Sequence, residues 1–246
     1  MPAQEYQPQR KLLAWGVHLF TASGGVFGTL ALVAIARGDL PFAGIMMLLT
    51  MAIDSVDGSL ARLVGVSDVL PRVDGRRLDD IIDFVNFVIV PVVFMAAAGS
   101  LTHWFFIALP VLASSYGFSQ LDAKTEDDFF LGFPSYWNVL AIYLWMMDLS
   151  PAAGDAWLLG LSVAVFIPLK YIYPSKMKVL RNSTCIGGLV WSIVLAWTIR
   201  YPEFAAQYHR VEITLSYPAY YIALSAWLGK WHLGLYRQQE SVSPKG

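Results

Sequence analysis

Four aspartates fall at helical spacing in two neighbouring apolar stretches of the chain. Asp54 and Asp57 are three residues apart, and Asp79 and Asp83 are four apart, so each pair shares one face of a helix. An ionised side chain at membrane depth costs about 2.5 to 3.5 kcal/mol on insertion scales, and neighbouring carboxylates also repel each other. Oxygen-only ligands suit hard divalent ions such as Mg²⁺, Mn²⁺ or Ca²⁺, which would neutralise this charge. The four aspartates are therefore predicted to form a metal site.

Small residues and one arginine accompany the carboxylates. Gly58 and Gly75 lie beside the two aspartate pairs, and a missing side chain lets a ligand or phosphate approach the backbone closely. Arg62 follows Gly58 by one helical turn and can fork onto phosphate oxygens, while Ala61 leaves space beside it. These residues favour a pyrophosphate substrate, because metal neutralises phosphate oxygens and assists departure of a phosphate leaving group.

The composition predicts that the site is embedded in a membrane. Hydrophobic residues make up 57% of the chain and charged residues 14%, with a mean hydropathy of +0.53, far from a soluble average. Stretches near the roughly 20 residues needed to cross hydrocarbon can be marked at residues 12–36, 40–63, 78–99, 101–121, 135–150, 154–173, 184–200 and 213–236. The sequence thus predicts an all-α polytopic membrane protein of about eight transmembrane helices. Residues 1–237 are expected to form a single domain, with a polar tail over 238–246.

The basic residues predict the orientation of these helices. No cleaved signal is evident in the polar first ten residues, so the first segment is expected to be a retained anchor with its amino terminus in the cytoplasm. Eight spans then place fourteen of the seventeen Lys and Arg residues on the cytoplasmic side and three outside. That asymmetry is the one expected from the positive-inside rule. It places the loop between Arg62 and Gly75, and with it the carboxylates, at the cytoplasmic face.

Charge and cysteine usage exclude other classes. The single cysteine, Cys185, cannot form an internal disulfide or a cysteine-based metal site. The net charge of −1 gives no reason to expect nucleic acid. The basic loops are better explained by topology and anionic lipid headgroups.

The same residues carry a family resemblance. The string DSVDGSLAR (residues 54–62), a spacer of twelve residues and GRRLDDIID (residues 75–83) resemble the signature of the CDP-alcohol phosphotransferases. All eight fixed positions of that signature are present: Asp54, Asp57, Gly58, Ala61, Arg62, Gly75, Asp79 and Asp83. Most branches of the family have a shorter spacer, and the longer one is similar to that of the bacterial branch that uses choline. HLFTASGG (residues 18–25) and KYIYPSKMKVLR (residues 170–181) are weaker similarities to the same branch.

The resemblance implies a reaction and a role for each residue. The hydroxyl of choline would attack the β-phosphate of CDP-diacylglycerol, releasing CMP and leaving phosphatidylcholine in the membrane. Asp54, Asp57 and Asp79 would hold Mn²⁺ or Mg²⁺, and Asp83 would help bind metal and act as general base. The CDP moiety would be surrounded by Asp57, Gly58, Ala61, Arg62 and Gly75, with Thr21 reaching the cytidine. The resemblance also implies a homodimer in the bacterial inner membrane.

Recognition of choline should depend on aromatic faces, because a trimethylammonium group has no ionisable proton. Aromatic residues near the predicted inner ends of segments four to six are Tyr116, Phe118, Tyr136, Trp137, Tyr171 and Tyr173, with Asp122 and Glu126 in the adjoining loop. For each residue taken singly, an interfacial aromatic belt is the favoured alternative. His18 can contact the nucleotide or bond a neighbouring helix, and Gly24 with Gly28 is typical of close helix packing.

Two other functions are compatible with the sequence. The first is a CDP-diacylglycerol transferase whose acceptor alcohol is serine, inositol or glycerol 3-phosphate, although the longer spacer argues against these acceptors. An ion-coupled transporter is the other alternative, since intramembrane carboxylates often mark ion pathways. Here the acids cluster at one face, and no inverted repeat with matching broken helices is apparent.

Overall fold

The computed structural model describes residues 8–203 and 209–234 of the chain, and they are mostly helical. The α-helices are α1 (Pro8–Ala36), α2 (Leu40–Val64), α3 (Val66–Val69), α4 (Gly75–Phe84), α5 (Val90–Ala97), α6 (Ala108–Ser119), α7 (Trp137–Met146), α8 (Pro151–Val165), α9 (Arg181–Arg200), α10 (Arg210–Thr214) and α11 (Ser216–Leu228). A π-helical turn, Val85–Ile89, joins α4 to α5, and 3₁₀ turns lie at Trp104–Ile107 and Trp231–Leu233. Two short strands are β1 (Phe129–Leu131) and β2 (Lys170–Ile172).

Four helical segments in the described part of the chain are long and apolar enough to cross a membrane. They are Pro8–Ala36, Leu40–Val64, Gly75–Ala97 and Arg181–Arg200. The third segment comprises α4, the π-helical turn and α5. Trp104–Ser119, Trp137–Met146 and Pro151–Val165 are shorter apolar helices. Each of the eight predicted stretches contains a helix, and the structure fits a polytopic membrane protein, with four segments rather than eight long enough to cross. The polar tail predicted at residues 238–246 lies outside the described residues.

Helix α2 has clear signals at both ends. The carboxylate of Asp39 accepts a hydrogen bond from the backbone N–H of Phe42 at 3.0 Å, which satisfies one of the free N–H groups of the first turn. At the other end Gly65 adopts φ +69° and its N–H donates to the carbonyl of Ala61, the left-handed ending that glycine favours. Gly65 is therefore the single residue between α2 and α3, and the chain continues from α3 to α4.

Glycines of α1 allow that helix to pack closely against the start of the third span. A Cβ atom at Gly24 would lie 3.2 Å from Cγ2 of Ile82, and one at Gly28 would collide with Oδ1 of Asn86. Asn86 is buried and lies in the π-helical turn directly after α4. The contacts thus support the close-packing interpretation of Gly24 and Gly28, and they fix α4 beside α1.

We expect Gly28→Ala to destabilise the protein. The added methyl group would collide with the buried amide of Asn86, and overpacking of this kind typically costs about 1–3 kcal/mol. At about 2–4 °C per kcal/mol for a chain of this size, thermal unfolding in detergent should show a clearly lower Tm. Gly16→Ala is the matched control on the same helix, because a Cβ atom there meets nothing within 4 Å. Equal Tm values for the two variants would contradict this packing.

A two-stranded sheet joins two loops, and the all-α prediction did not include it. Strands β1 and β2 are antiparallel, with Phe130 opposite Tyr171. The hydroxyl of Tyr221 donates to the carbonyl of Ile172 at 3.0 Å, and the N–H of Ile172 donates to Oγ of Ser225 at 3.1 Å. Each strand has only three residues and pairs across a long stretch of chain, so no local alternation predicts it. The sheet holds the loop before α7 and the loop before α9 together, fastened to α11.

The main core lies between α2, α5, α7 and α9. Its largest fully buried side chains include Met47, Phe94, Trp137, Ile142 and Leu195. Several buried polar groups in this region are paired, although Nδ2 of Asn138 on α7 has no partner among the described residues. The hydroxyl of Tyr143 donates to Thr214 at 2.9 Å and accepts from Nε1 of Trp191 at 3.0 Å, and Nε1 of Trp137 donates to Ser114 at 2.8 Å. These bonds hold the helices that surround α2.

Candidate active site

The acidic motif is shared between the second half of α2 and helix α4. Asp54 and Asp57 occur on α2, and Asp79 and Asp83 on α4. The intervening residues 65–74 hold α3, and Asp74 caps α4 by accepting a hydrogen bond from the N–H of Arg77 at 3.1 Å. This reversal places the two helix faces opposite each other, as the i, i+3 and i, i+4 spacings predict.

Three carboxylates come together closely enough to share an ion. One carboxylate oxygen from each of Asp54, Asp57 and Asp79 lies within 4.8 Å of the others. Asp57 is buried, and the other two are half-buried. Asp83 lies against Asp54, within hydrogen-bonding reach of its carboxyl group. The three grouped aspartates can hold a metal ion, and an all-oxygen donor set fits a hard divalent cation.

Asp57 has polar neighbours from α1 and α2. The buried side chain of Thr21 and the backbone of Gly58 lie close enough to the carboxylate of Asp57 to interact with it. Polar neighbours of a ligating carboxylate help to orient it. Thr21, predicted from the sequence as a nucleotide contact, is thus placed beside the acidic cluster and in direct contact with one of its members.

The predicted phosphate-binding residues line the same end of α2. The side chain of Arg62 folds back over Gly58. Its Nη1 lies 3.3 Å from the position of a Cβ atom at Gly58, and its Nη2 donates to Ser59 at 3.0 Å. The guanidinium is exposed and acts electrostatically on Asp57. Ala61 packs instead against the small apolar cluster between α1, α2 and α3.

Lys124 is a cation at the site that sequence reasoning missed. It lies in the loop between α6 and β1 and interacts electrostatically with Asp54, Asp79 and Asp83. A lysine in a polar loop has no spacing that marks it. The signal is tertiary, because Lys124 forms an isolated β-bridge with Phe130 next to the sheet.

The structure separates the aromatic candidates into two groups. Tyr136 and Tyr173 lie close enough to Asp54 to interact with it electrostatically. Phe130 stacks on Tyr173 with ring centroids 4.5 Å apart, and the Lys124 ammonium lies 5.6 Å from the centre of the Tyr173 ring.

The remaining aromatic candidates pack against other side chains. Trp137 is fully buried and bonded to Ser114. The other contacts are Tyr116 on Phe166, Phe118 on Phe84, and Tyr171 on Phe133 and Trp231. Asp122 and Glu126 lie in the loop between α6 and β1.

An ion pair fixes the loop that carries Lys124. The ammonium of Lys170 lies 2.7 Å from Oδ2 of Asp127, and Thr125 donates to Oδ1 at 2.7 Å. Partial burial opposes ionisation of this carboxyl group, but the hydrogen bonds from Lys170 and Thr125 prevail and lower the pKa of Asp127. Asp127 is therefore ionised at neutral pH, and the loop remains paired to β2.

Helices able to span a membrane, with carboxylates gathered between two of them, define a polytopic membrane protein with an acidic candidate metal site. No protein-family model matches the chain. The chain is 38% identical to the phosphatidylcholine synthase of Legionella pneumophila over 223 residues, and this alignment covers 86% of this chain and 87% of that protein. The chain is 37% identical to the phosphatidylcholine synthase of Legionella bozemanae, in an alignment that covers 80% of this chain and 95% of that protein. The phosphatidylcholine synthase of Pseudomonas aeruginosa is 34% identical over 76% of this chain and 79% of its own length.

The chain therefore belongs to the phosphatidylcholine synthase family. It is an enzyme, a transferase of phospholipid biosynthesis. The resemblance of the acidic motif to the CDP-alcohol phosphotransferases is confirmed by these similarities.

Proposed function

We propose that the chain transfers the phosphatidyl group of CDP-diacylglycerol to choline, giving phosphatidylcholine and CMP. The observation that supports this most directly is the grouping of Asp54, Asp57 and Asp79 within 4.8 Å, in a chain similar to phosphatidylcholine synthases over most of its length. A cluster of carboxylates with an adjacent arginine suits a pyrophosphate substrate.

Mn²⁺ or Mg²⁺ is the proposed cofactor. Asp54, Asp57 and Asp79 would hold it, with Asp83 beside them. When bound, the ion supplies positive charge that stabilises the developing charge on the phosphate oxygens. The rest of the chemistry belongs to the chain's own residues.

Asp83 is proposed to be the general base. It would take the proton of the choline hydroxyl as that oxygen bonds to the β-phosphorus, while the bond between this phosphorus and the oxygen bridging to CMP breaks. Asp83 suits this role because it lies beside the grouped aspartates, next to Asp54, rather than among the three. A base must come within hydrogen-bonding reach of the proton that it removes.

The CDP half of the substrate is proposed to lie along α2 and the start of α4. The guanidinium of Arg62 can bind phosphate oxygens over Gly58, where no side chain intervenes. Gly75 borders the same space from α4. Thr21 and Asp57, which lie side by side, would contact the nucleoside. Ala61, which packs against the small apolar cluster, is proposed to border the CDP moiety through its small size, which leaves space beside Arg62.

Choline is proposed to bind near Tyr136 and Tyr173. Both rings lie near Asp54, and aromatic faces attract quaternary ammonium groups. Tyr173 and Phe130 already hold one cation of the chain, the Lys124 ammonium. A trimethylammonium group is attracted to such rings for the same electrostatic reason.

The membrane arrangement that goes with this function has eight spans in one domain, residues 1–237. The acidic site would face the cytoplasm of a bacterium from its inner membrane, where soluble choline is accessible. With eight spans and the amino terminus inside, fourteen Lys and Arg residues would lie on that side and three outside, which supports this orientation. A homodimer is the proposed assembly.

The test is an acceptor competition with purified protein. Detergent-solubilised enzyme receives CDP-diacylglycerol and Mn²⁺, with choline, serine, inositol or glycerol 3-phosphate supplied separately, and both CMP release and labelled lipid are measured. We expect product with choline only, abolished by a chelator and restored by added Mn²⁺. Product with another alcohol would retain the reaction type and overturn the acceptor. No CMP release with any alcohol, from folded protein, would refute the transferase proposal.

A further inference from the structure

His18 is a buried polar residue that the motif does not include. It lies on α1, is 7% exposed, and its Nε2 atom has no hydrogen-bond partner among the residues that the structure describes. A buried nitrogen without a partner is destabilising. Such groups call for a specific explanation, and a ligand atom is one.

The His18 ring lies at the acidic site rather than in the core. A Cβ atom at Gly75 would be 3.1 Å from Cε1 of His18 and 3.8 Å from its Nδ1. Thr21, one helical turn further along α1, lies beside the carboxylate of Asp57 and interacts with it. His18 and Thr21 therefore present two polar groups of α1 to the residues that begin α4 and end α2.

The first turn of α4 favours an anion at this place. Asp74 accepts hydrogen bonds from the N–H groups of Arg77, through its side chain, and of Leu78, through its carbonyl. The first two N–H groups of this ten-residue helix, those of Gly75 and Arg76, have no acceptor among the described residues. The N-terminus of a helix attracts negative charge.

We propose that His18 is a substrate-binding residue whose Nε2–H donates a hydrogen bond to a phosphate oxygen of the CDP half of the substrate. This inference rests on the proposed function and adds a residue outside the eight-position motif. It also gives Gly75 a second role, because any side chain there would push the imidazole away from its place. His18 takes no part in proton transfer to the acceptor alcohol.

The experiment compares His18→Leu and His18→Gln with wild type and with Val17→Ala, a buried apolar neighbour on the same helix. CDP binding is measured by thermal shift with Mg²⁺ present, and KM is measured separately for CDP-diacylglycerol and choline. We expect His18→Leu to weaken CDP binding and raise KM for CDP-diacylglycerol by about 10-fold or more, as for loss of a hydrogen bond to a charged group. The choline KM should change by less than about 2-fold, because choline binds elsewhere.

A residue that only packs would give a different pattern. His18→Gln keeps an amide N–H and should recover part of the CDP affinity, whereas Val17→Ala should lower thermal stability and leave CDP affinity unchanged. The ligand-free Tm of His18→Leu should equal or exceed that of wild type, since the change removes an unpartnered buried nitrogen. If His18→Leu does not fold, His18→Gln and His18→Ala test the proposal. Wild-type CDP affinity in both of these variants would overturn it.

The outcomes also separate this inference from the proposed function. Wild type that makes phosphatidylcholine, with His18→Leu binding CDP as tightly, overturns the role of His18 alone. Wild type that binds CDP but makes no phosphatidylcholine overturns the acceptor, and the loss of CDP affinity in His18→Leu still supports His18. Wild type that does not bind CDP refutes both.

Discussion

Asp83→Asn is expected to lower kcat for phosphatidylcholine formation by about 10²- to 10⁴-fold, the range that general base catalysis contributes. The amide keeps the shape of the carboxyl group but cannot accept the proton of the alcohol. KM for CDP-diacylglycerol should change much less, because Asp83 lies beside Asp54 rather than within the group of three carboxylates. Steady-state kinetics of the purified variant, with both substrates varied, checks this.

The same variant should remain folded, and its metal-free Tm should rise. Four neighbouring carboxylates repel one another when no cation is bound, so removing one negative charge relieves that repulsion. Functional sites commonly lower the stability of the folded protein in this way. A fall in kcat accompanied by a rise in Tm separates a catalytic role from a structural one.

Asp80→Asn is the matched control, since Asp80 is on the same helix and faces a groove between α4 and α6 that Arg77 and Phe118 also line. Its turnover should stay near that of wild type. If Asp83→Asn retained turnover within about 3-fold, far less than a lost general base causes, the assignment of Asp83 as base would be wrong.

The parts of the site that sequence predicted are those fixed by local geometry. Helical spacing alone places Asp54 with Asp57 and Asp79 with Asp83. The structure adds how the connection is made, since Gly65 ends α2 and Asp74 caps α4, and neither signal was predicted. The grouping of three aspartates within 4.8 Å agrees with the two helical spacings.

The parts that sequence did not predict depend on distant segments. Lys124 reaches the carboxylates through the loop beside β1, and β1 pairs with a strand about 40 residues further on. The π-helical turn after Asp83 has no glycine or proline to mark it. It coincides with burial of Asn86 against Gly28, a contact between separate helices. π-helical turns often occur next to functional sites, and this one directly follows the acidic motif.

Loss of one grouped carboxylate should remove metal binding along with activity. In Asp57→Asn we expect no detectable turnover and no stabilisation by Mn²⁺. Wild type should be stabilised by the ion, by about 2.7 kcal/mol at a free concentration 100 times Kd. Asp57 is the strongest test position because it is the buried member of the three and has Thr21 beside it. Thermal unfolding with and without Mn²⁺, in each protein, measures the difference.

Asp68→Asn provides the control for this experiment. Asp68 is an exposed carboxylate on α3, between the two aspartate pairs along the chain and outside the group of three. It should retain both turnover and the Mn²⁺-dependent rise in Tm, because an exposed surface charge contributes little to a site that it does not join. If Asp57→Asn kept the same Mn²⁺ response as Asp68→Asn, the ion would bind elsewhere. Activity lost without any change in the Mn²⁺ response would instead give Asp57 a role in binding CDP alone, through its contact with Thr21.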